Sequence, residues 1–505
     1  MPQQGDPSVH ADLLITGTDV VTMDSARPLV RDGAIAVRAG QIAWVGTASE
    51  ARQRVTADRT LDASGQIALP GLIDTHFHTG QQLLRGKIIE LAKRRQLRLP
   101  IWRNYLIPFE SVLSEEDVYL SGRLAYANAL RVGTTCFAEA GGPHPSQMAR
   151  AALDTGIRGL VALSTMDTGE GLPASMRFST RDAIDRNVAL VKEWGPSATD
   201  SRVGAWLALR QLLVCTRELW ESLRDAADEL GARIHIHLAE GSYEVEYAAE
   251  QWGLRPAEHL AAIGFLSPQV HAAHSILLSA GEIDLYARHR VSAAHCPLGN
   301  FIIGAPKVPE MLRRGIRVGL GTDGAASGSI DLFEAIRVSW VALQSHHGTP
   351  WHVRNVTTLE DLLRMATLGG AEALGLEDQV GSIEPGKKAD LVLIKNDASP
   401  VMFPLLNPYG HVAFQAQRGD VHTVLINGRV VKYDHRLVDI DLAKARQVIE
   451  QTVEYLKGQL GPKAWTEGMH PEIPETKVLD NPYTYTEWDA GSAQWKGTAD
   501  SDPSA

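Results

Sequence analysis

Between Leu69 and Gly324 the chain repeats one arrangement eight times, a short apolar run leading into a segment with helical spacing. The runs are LPGLIDTHFH, GTTCFAE, IRGLVALS, VGAWLAL, RIHIHLAE, VHAAHSI, RVSAAHC and IRVGLGTDG. Continuous apolar runs suit strands buried on both faces, as in a parallel sheet covered by helices. Helix signals lie between them. Ser114 with Asp117 opens SEEDVYLSGRLAYANALRVG with a capping pattern, and Gly231 closes RELWESLRDAADELG. Eight strand-and-helix units predict an α/β fold, a (β/α)8 barrel of the TIM type spanning 69–376.

The two ends of the chain differ from this core and resemble each other. ADLLITG, GAIAVRAGQIAWVG and TLDASGQIALPG alternate apolar and polar residues, and so do KADLVLIK and VHTVLINGRVVKYD, with turns expected at Ala39-Gly40 and Asn427-Gly428. A small β-sandwich built from residues 1–68 and 377–436 is the expectation. Residues 437–505 read as a helix, DLAKARQVIEQTVEYLKGQL, followed by an extended tail rich in Pro and aromatic residues.

Composition limits the function classes. The 505 residues carry a formal charge of −11, with 44% hydrophobic and 22% charged residues, which fits a soluble globular protein. The acidic balance argues against nucleic acid as partner, and KRRQLR at 93–98 is the one basic knot. No apolar run reaches membrane-spanning length, and MPQQGDPSVHADLL has neither the basic nor the apolar region of a signal peptide. With only Cys136, Cys215 and Cys296, widely spaced, a reducing cytoplasm is expected.

Residues two apart on a strand face the same way, so His76 and His78 can offer imidazoles to one point. His-x-His alone is weak evidence. Its weight comes from what ends the other runs: His237 and Glu240 the fifth, His274 the sixth, His295 the seventh and Asp323 the eighth. The C-terminal ends of barrel strands converge on one mouth, so these residues share a pocket. Imidazoles and a carboxylate suit Zn²⁺, or Fe²⁺ at a similar site, with a position left for water. By spacing alone His235 competes with His237, and His271 with His274; Glu240 at the very end of its run favours His237. Gly319-Leu-Gly321-Thr-Asp-Gly324 matches the dinucleotide fingerprint G-x-G-x-x-G, but it falls in the eighth unit instead of opening the first. No His-Glu-x-x-His, Pro-Cys-x-x-Cys or Gly-x-Ser-x-Gly motif occurs.

PGLIDTHFHTGQQLLRG, HIHLAE, AAHSILLS, AAHCPLGN, GLGTDGAAS, MATLGGAEALGL and GSIEPGKKADLVLI together resemble the amidohydrolase superfamily. Within it they resemble the cytosine-deaminase-like group, which includes guanine-type and pterin deaminases and s-triazine hydrolases. The resemblance implies one divalent metal per chain, zinc first and iron(II) second, held by His76, His78, His237 and Asp323. It also implies a proton-accepting role for Asp323, a proton-transferring role for Glu240 and a hydrogen bond from His274 to the attacking oxygen. LALRQ ends without the lysine that bridges two metals in other members.

The implied reaction is replacement by water of an amino group on a nitrogen heterocycle, purine, pterin, pyrimidine or s-triazine, with release of ammonia. Gln81, Trp102, Arg210, Gln211 and His295 are the candidate substrate contacts. Arg210 and Gln211 depart from the histidine-containing sequence of many members and suit a ring bearing carbonyl oxygens, and Asn128-Ala stands where Glu-Leu is common. Two alternatives remain at this stage: hydrolysis of a C–N or C–Cl bond in a halotriazine, alkylamino-triazine, urea or carbamate, and an inactive scaffold barrel. The expected partners are a small heterocyclic substrate and further copies of the chain in a homo-oligomer.

Overall fold

The computed structural model describes residues 9–89, 100–195, 202–326, 328–348, 356–395 and 399–467. The basic knot and most of the C-terminal tail lie outside the described residues.

All eight apolar runs are strands. They are β1 (Leu72–His78), β2 (Thr134–Glu139), β3 (Arg158–Val161), β4 (Val203–Ala205 with Leu207–Leu209), β5 (Ile234–Leu238), β6 (Val270–His274), β7 (Ser292–His295) and β8 (Val318–Leu320 with Asp323–Gly324). Every neighbouring pair is parallel, and the circle closes where Asp323 and Gly324 pair with Phe77 and His78 of β1.

Two strands are divided. The first half of β4 pairs with β3 and the second with β5, on either side of the buried Trp206. The first half of β8 pairs with β7 and the second with β1. The glycines of the fingerprint-like segment serve this closure. A Cβ on Gly319 would lie 2.3 Å from Thr75, and one on Gly324 would lie 1.6 Å from the Gln81 side chain. Both glycines let β8 lie directly against β1 and its following turn, a packing reason for the motif that involves no nucleotide.

The helices between the strands follow their sequence signals. Ser114 accepts from the Asp117 backbone while the Asp117 carboxylate accepts from the Ser114 N–H at 2.8 Å, which caps Glu115–Arg131. Gly231, at φ +61°, ends Arg217–Leu230, whose buried Leu219, Trp220, Leu223 and Ala227 form one stripe against the barrel.

The chain ends meet in a nine-stranded sheet. Ile67–Pro70 pairs antiparallel with Leu391–Ile394, joining the N-terminal strands to the C-terminal ones immediately before β1 begins. Both expected turns are present, with positive φ at Ala39, Gly40, Asn427 and Gly428, the geometry that matches hairpin twist. Ile15, Ile35, Leu391, Leu393 and Leu425 belong to a separate apolar core of this sheet. Arg158 at the start of β3 forms a buried two-pronged ion pair with Asp390, at 2.8 and 3.2 Å, tying the barrel to the sheet.

Candidate active site

On β1, His76 and His78 face the barrel axis while Phe77 turns away to pack on Tyr126 and Phe137. Their Nε2 atoms lie 3.5 and 3.4 Å from the same oxygen of Asp323, Oδ1. From β5, His237 brings its Nε2 to 3.4 Å from His78 Nε2. The His237 Nδ1–H donates to the Arg210 carbonyl at 2.9 Å, which leaves a lone pair on the inward nitrogen. His76 Nε2 is buried with no hydrogen-bond partner. Buried lone pairs and a carboxylate facing one another this closely call for a cation between them. Separations of 3.4–3.5 Å match the edges expected when donors at about 2.0–2.1 Å surround one divalent ion. The residues therefore fit a metal.

The electrostatics agree. Burial pushes the His76 imidazole down to about 4, and burial followed by the Arg210 charge holds His78 and His237 well below the usual range. All three are neutral near pH 7, the form that ligates. Burial alone would raise Asp323, but the His76 ring beside it, followed by His274, outweighs burial and holds the carboxylate below its usual range.

Asp323 and His274 both adopt left-handed backbone, at φ +63° and +68°. Strain of this kind gathers at functional sites. At His274 it turns the ring out of the strand alternation towards the cluster, 4.8 Å from the His76 ring centroid. The His274 Nδ1–H donates to Asn300 Oδ1 at 3.1 Å, and the same asparagine lies 3.3 Å from His295 Nδ1. His295 Nε2 is buried without a partner, and burial takes that ring down to about 3.

A second group stands beside the imidazoles. Glu240 Oε2 accepts from Gln211 Nε2 at 2.7 Å and from the Tyr243 hydroxyl at 2.9 Å. The Trp102 indole N–H donates to that hydroxyl at 3.1 Å, and the Arg210 guanidinium lies over the Trp102 ring, 5.4 Å from its centroid. Arg210 Nη1 is buried with no partner. Gln81 donates to Glu110 at 3.2 Å, and Glu110, pushed up by burial, has its other oxygen unpartnered. The site is thus rimmed by buried donors and acceptors that no protein group satisfies, as expected where a polar ligand docks.

All eleven residues singled out from the sequence lie at this one barrel mouth. The competing histidines differ in depth. His235 sits beneath His76, its Nε2 2.9 Å from His76 Nδ1, and His271 is held by the Thr75 carbonyl and the Ser292 hydroxyl, each at 3.0 Å. Neither reaches Asp323. Sequence reasoning missed Tyr243, Asn300, Glu110 and the position of His235 under His76. Tyr243 follows Glu240 by three residues and Asn300 stands in AAHCPLGN, so both had a local signal; Glu110 had none.

Comparison with known proteins agrees with this architecture. The model of the amidohydrolase family matches residues 67–431. A 5-methylthioadenosine/S-adenosylhomocysteine deaminase of Pelotomaculum thermopropionicum is 34% identical over 437 residues, 86% of this chain and 96% of that protein. Among solved structures, an adenosine deaminase of Xanthomonas campestris with bound zinc has a TM-score of 0.81 at 28% identity, covering 90% of this chain and 100% of its own. An atrazine chlorohydrolase of Arthrobacter aurescens complexed with zinc has a TM-score of 0.76 at 25% identity, covering 87% and 100%. With the family model spanning both the β1 histidines and Asp323, and a barrel closed to bring them together, the chain belongs to the amidohydrolase family.

Proposed function

We propose that this amidohydrolase, a hydrolase of carbon–nitrogen bonds in cyclic amidines, deaminates a 6-aminopurine nucleoside, replacing the exocyclic amine with water and releasing ammonia. The observation that carries the reading is the Glu240 carboxylate, held by Gln211 and Tyr243 beside the converged His76, His78, His237 and Asp323. The aminopurine is favoured by the similarity to deaminases whose names specify adenosine-type substrates.

The family is metal-dependent, and zinc is the proposed ion here because two similar structures hold it, with iron(II) the alternative. His76, His78, His237 and Asp323 would hold one ion. That ion would act as a Lewis acid, bringing the pKa of water from 15.7 to about 7. Asp323 accepts a proton from the attacking water. Glu240 takes the other proton of that water and delivers it to the ring nitrogen beside the attacked carbon, then relays the proton held by Asp323 to the departing amine, the work of a positioned acid and base. His274, its Nδ1–H occupied by Asn300, has a lone pair on Nε2 that accepts an O–H of the attacking water and orients it. Arg210 offers its unpartnered Nη1 as a donor to a ring acceptor, Gln211 its unpartnered Oε1 as an acceptor, Gln81 an amide, Trp102 an aromatic wall, and His295 its unpartnered Nε2. The balance is water and amine in, carbonyl-bearing ring and ammonia out.

Among the described residues no helix is long and apolar enough to cross a membrane. A cytoplasmic homo-oligomer acting on a small molecule completes the proposal. The second reading, release of chloride or alkylamine from a triazine, draws on the similarity to atrazine chlorohydrolase. The test is a parallel assay of ammonia, chloride and alkylamine with adenosine, 5′-methylthioadenosine, guanine, a pterin and halotriazines, on protein of measured metal content. Ammonia from the adenosines supports the proposal. Ammonia confined to guanine or pterin would move the substrate to an oxo-ring, and chloride release without any ammonia would sink the deaminase reading.

A further inference from the structure

A second set of ligand-type side chains lies at the opposite end of the barrel. His422, on the sheet strand Val421–Ile426, and Asp434 and His435, in the turn between Arg429–Tyr433 and Arg436–Leu437, present ligand atoms within 4.8 Å of one another. The two antiparallel strands pair Val424 with Lys432, so His422 faces Asp434 by continuation of the register. The pairing is completed by the His435 N–H, which donates to the His422 carbonyl at 3.1 Å.

The turn is unusual in what occupies it. Asp434 and His435 both have positive φ, +48° and +63°. Hairpins with this geometry favour Asn-Gly or Asp-Gly, and the neighbouring turn of the same sheet uses Asn427-Gly428. A histidine in the second position is conformationally disfavoured, yet it sets the His435 ring edge-on to the His422 ring at 5.1 Å. His422 Nδ1 lies 2.8 Å from the Thr423 hydroxyl, and its Nε2 lies 3.7 Å from Asp434 Oδ1. With Nδ1–H donating to Thr423, Nε2 carries its lone pair towards the carboxylate, the arrangement by which an outer partner fixes a ligating imidazole.

We propose that His422, Asp434 and His435 form a second divalent-metal site, distinct from the barrel mouth, for a cation of the zinc, nickel and copper class. Two imidazoles exclude Ca²⁺ and Mg²⁺ as preferred occupants, since those ions take oxygen ligands. Donors around such an ion stand about 3.3 Å apart, so the open triad closes by small rotations of side chains of which Asp434 and His435 are exposed. The solvent side leaves a fourth position for water. The neighbouring Lys432 donates to the carbonyl of Arg131, the last residue of the helix leading into β2, which places the triad at the N-terminal end of the barrel strands. Metal bound there would clip the last hairpin to the rest of the sheet.

The test is equilibrium dialysis of the full chain against buffered free Zn²⁺, comparing wild type with His422→Gln and His435→Gln. Wild type is expected to take up about two equivalents, and each variant about one. The lost equivalent is the weaker, with affinity lowered about tenfold or more, and the melting curve before zinc addition is unchanged. Excess Ca²⁺ should not displace the second equivalent. Uptake that stops at one equivalent in wild type, or a second equivalent retained equally by both variants, would overturn the site.

Discussion

His235 Nε2 lies 2.9 Å from His76 Nδ1, with the two rings nearly parallel at 17°. Burial, followed by the nearby His76, keeps His235 well below the usual range and hence neutral, so its Nε2 can accept. A His76 Nδ1–H donating downward leaves Nε2 free to face Asp323. His235 therefore fixes the tautomer of the proposed ligand. Replacing it with phenylalanine keeps the ring volume and removes the acceptor, and metal affinity should fall about 10- to 100-fold. His235→Gln, which restores an acceptor, should recover part of the loss. Competition with a chromogenic chelator measures both, and wild-type affinity in His235→Phe would detach His235 from the metal.

Glu240 is approached by two donors, and this makes its role separable from its fold. Glu240→Gln leaves His76, His78, His237 and Asp323 in place but cannot shuttle a proton. Turnover should drop about 10²- to 10⁴-fold, the usual worth of a positioned acid or base, with metal content unchanged. Tyr243→Phe removes one donor to the same oxygen and should cost less than Glu240→Gln. Near-normal kcat in Glu240→Gln would take this carboxylate out of the mechanism.

Arg210 combines burial at 3% exposure, a stacked position over Trp102 and an unpartnered Nη1. A charged donor satisfied only when a ring acceptor arrives acts mainly on binding. Arg210→Met should raise KM about 10- to 100-fold, corresponding to about 1.5–3 kcal/mol for a hydrogen bond from a charged group, with a smaller change in kcat. Steady-state kinetics on the best substrate of the screen decides. A loss confined to kcat, with KM unchanged, would place Arg210 with the reacting atoms instead.

What could be read in advance followed from physical periodicity. Strands buried on both faces announce themselves as apolar runs, and His76 and His78 share a face because alternate residues of a strand must. The division of β4 at Trp206 was not legible, because VGAWLAL stays apolar while its hydrogen-bond partner changes from β3 to β5. The choice of His237 over His235 was underdetermined for a related reason, since both face the barrel interior and differ only in depth. The turn of His274 towards the cluster comes from a left-handed backbone that no periodicity encodes. The Trp102–Tyr243–Glu240–Gln211 network joins three segments far apart in sequence, so only tertiary structure assembles it.

The Arg158–Asp390 pair sits where β3 starts and where the C-terminal strand Leu391–Ile394 begins, and both side chains are almost fully buried. Asp390 also accepts from the Asn427 N–H at 2.8 Å, so the pair anchors the barrel, the returning strand and the following turn together. Removing one partner leaves a buried charge without its counter-ion. Arg158→Met should therefore lower stability by about 3–5 kcal/mol, read as a fall in the urea midpoint. An apolar pair does not carry that penalty, so Arg158→Met combined with Asp390→Leu should regain much of the loss. The pair is at the N-terminal end of the strands, away from His76 and Asp323, so kcat of the folded single variant should stay near wild type. An unchanged urea midpoint in Arg158→Met would show that the barrel and the sheet hold together without this contact. A double variant weaker than the single would show that Asp390 acts chiefly through Asn427.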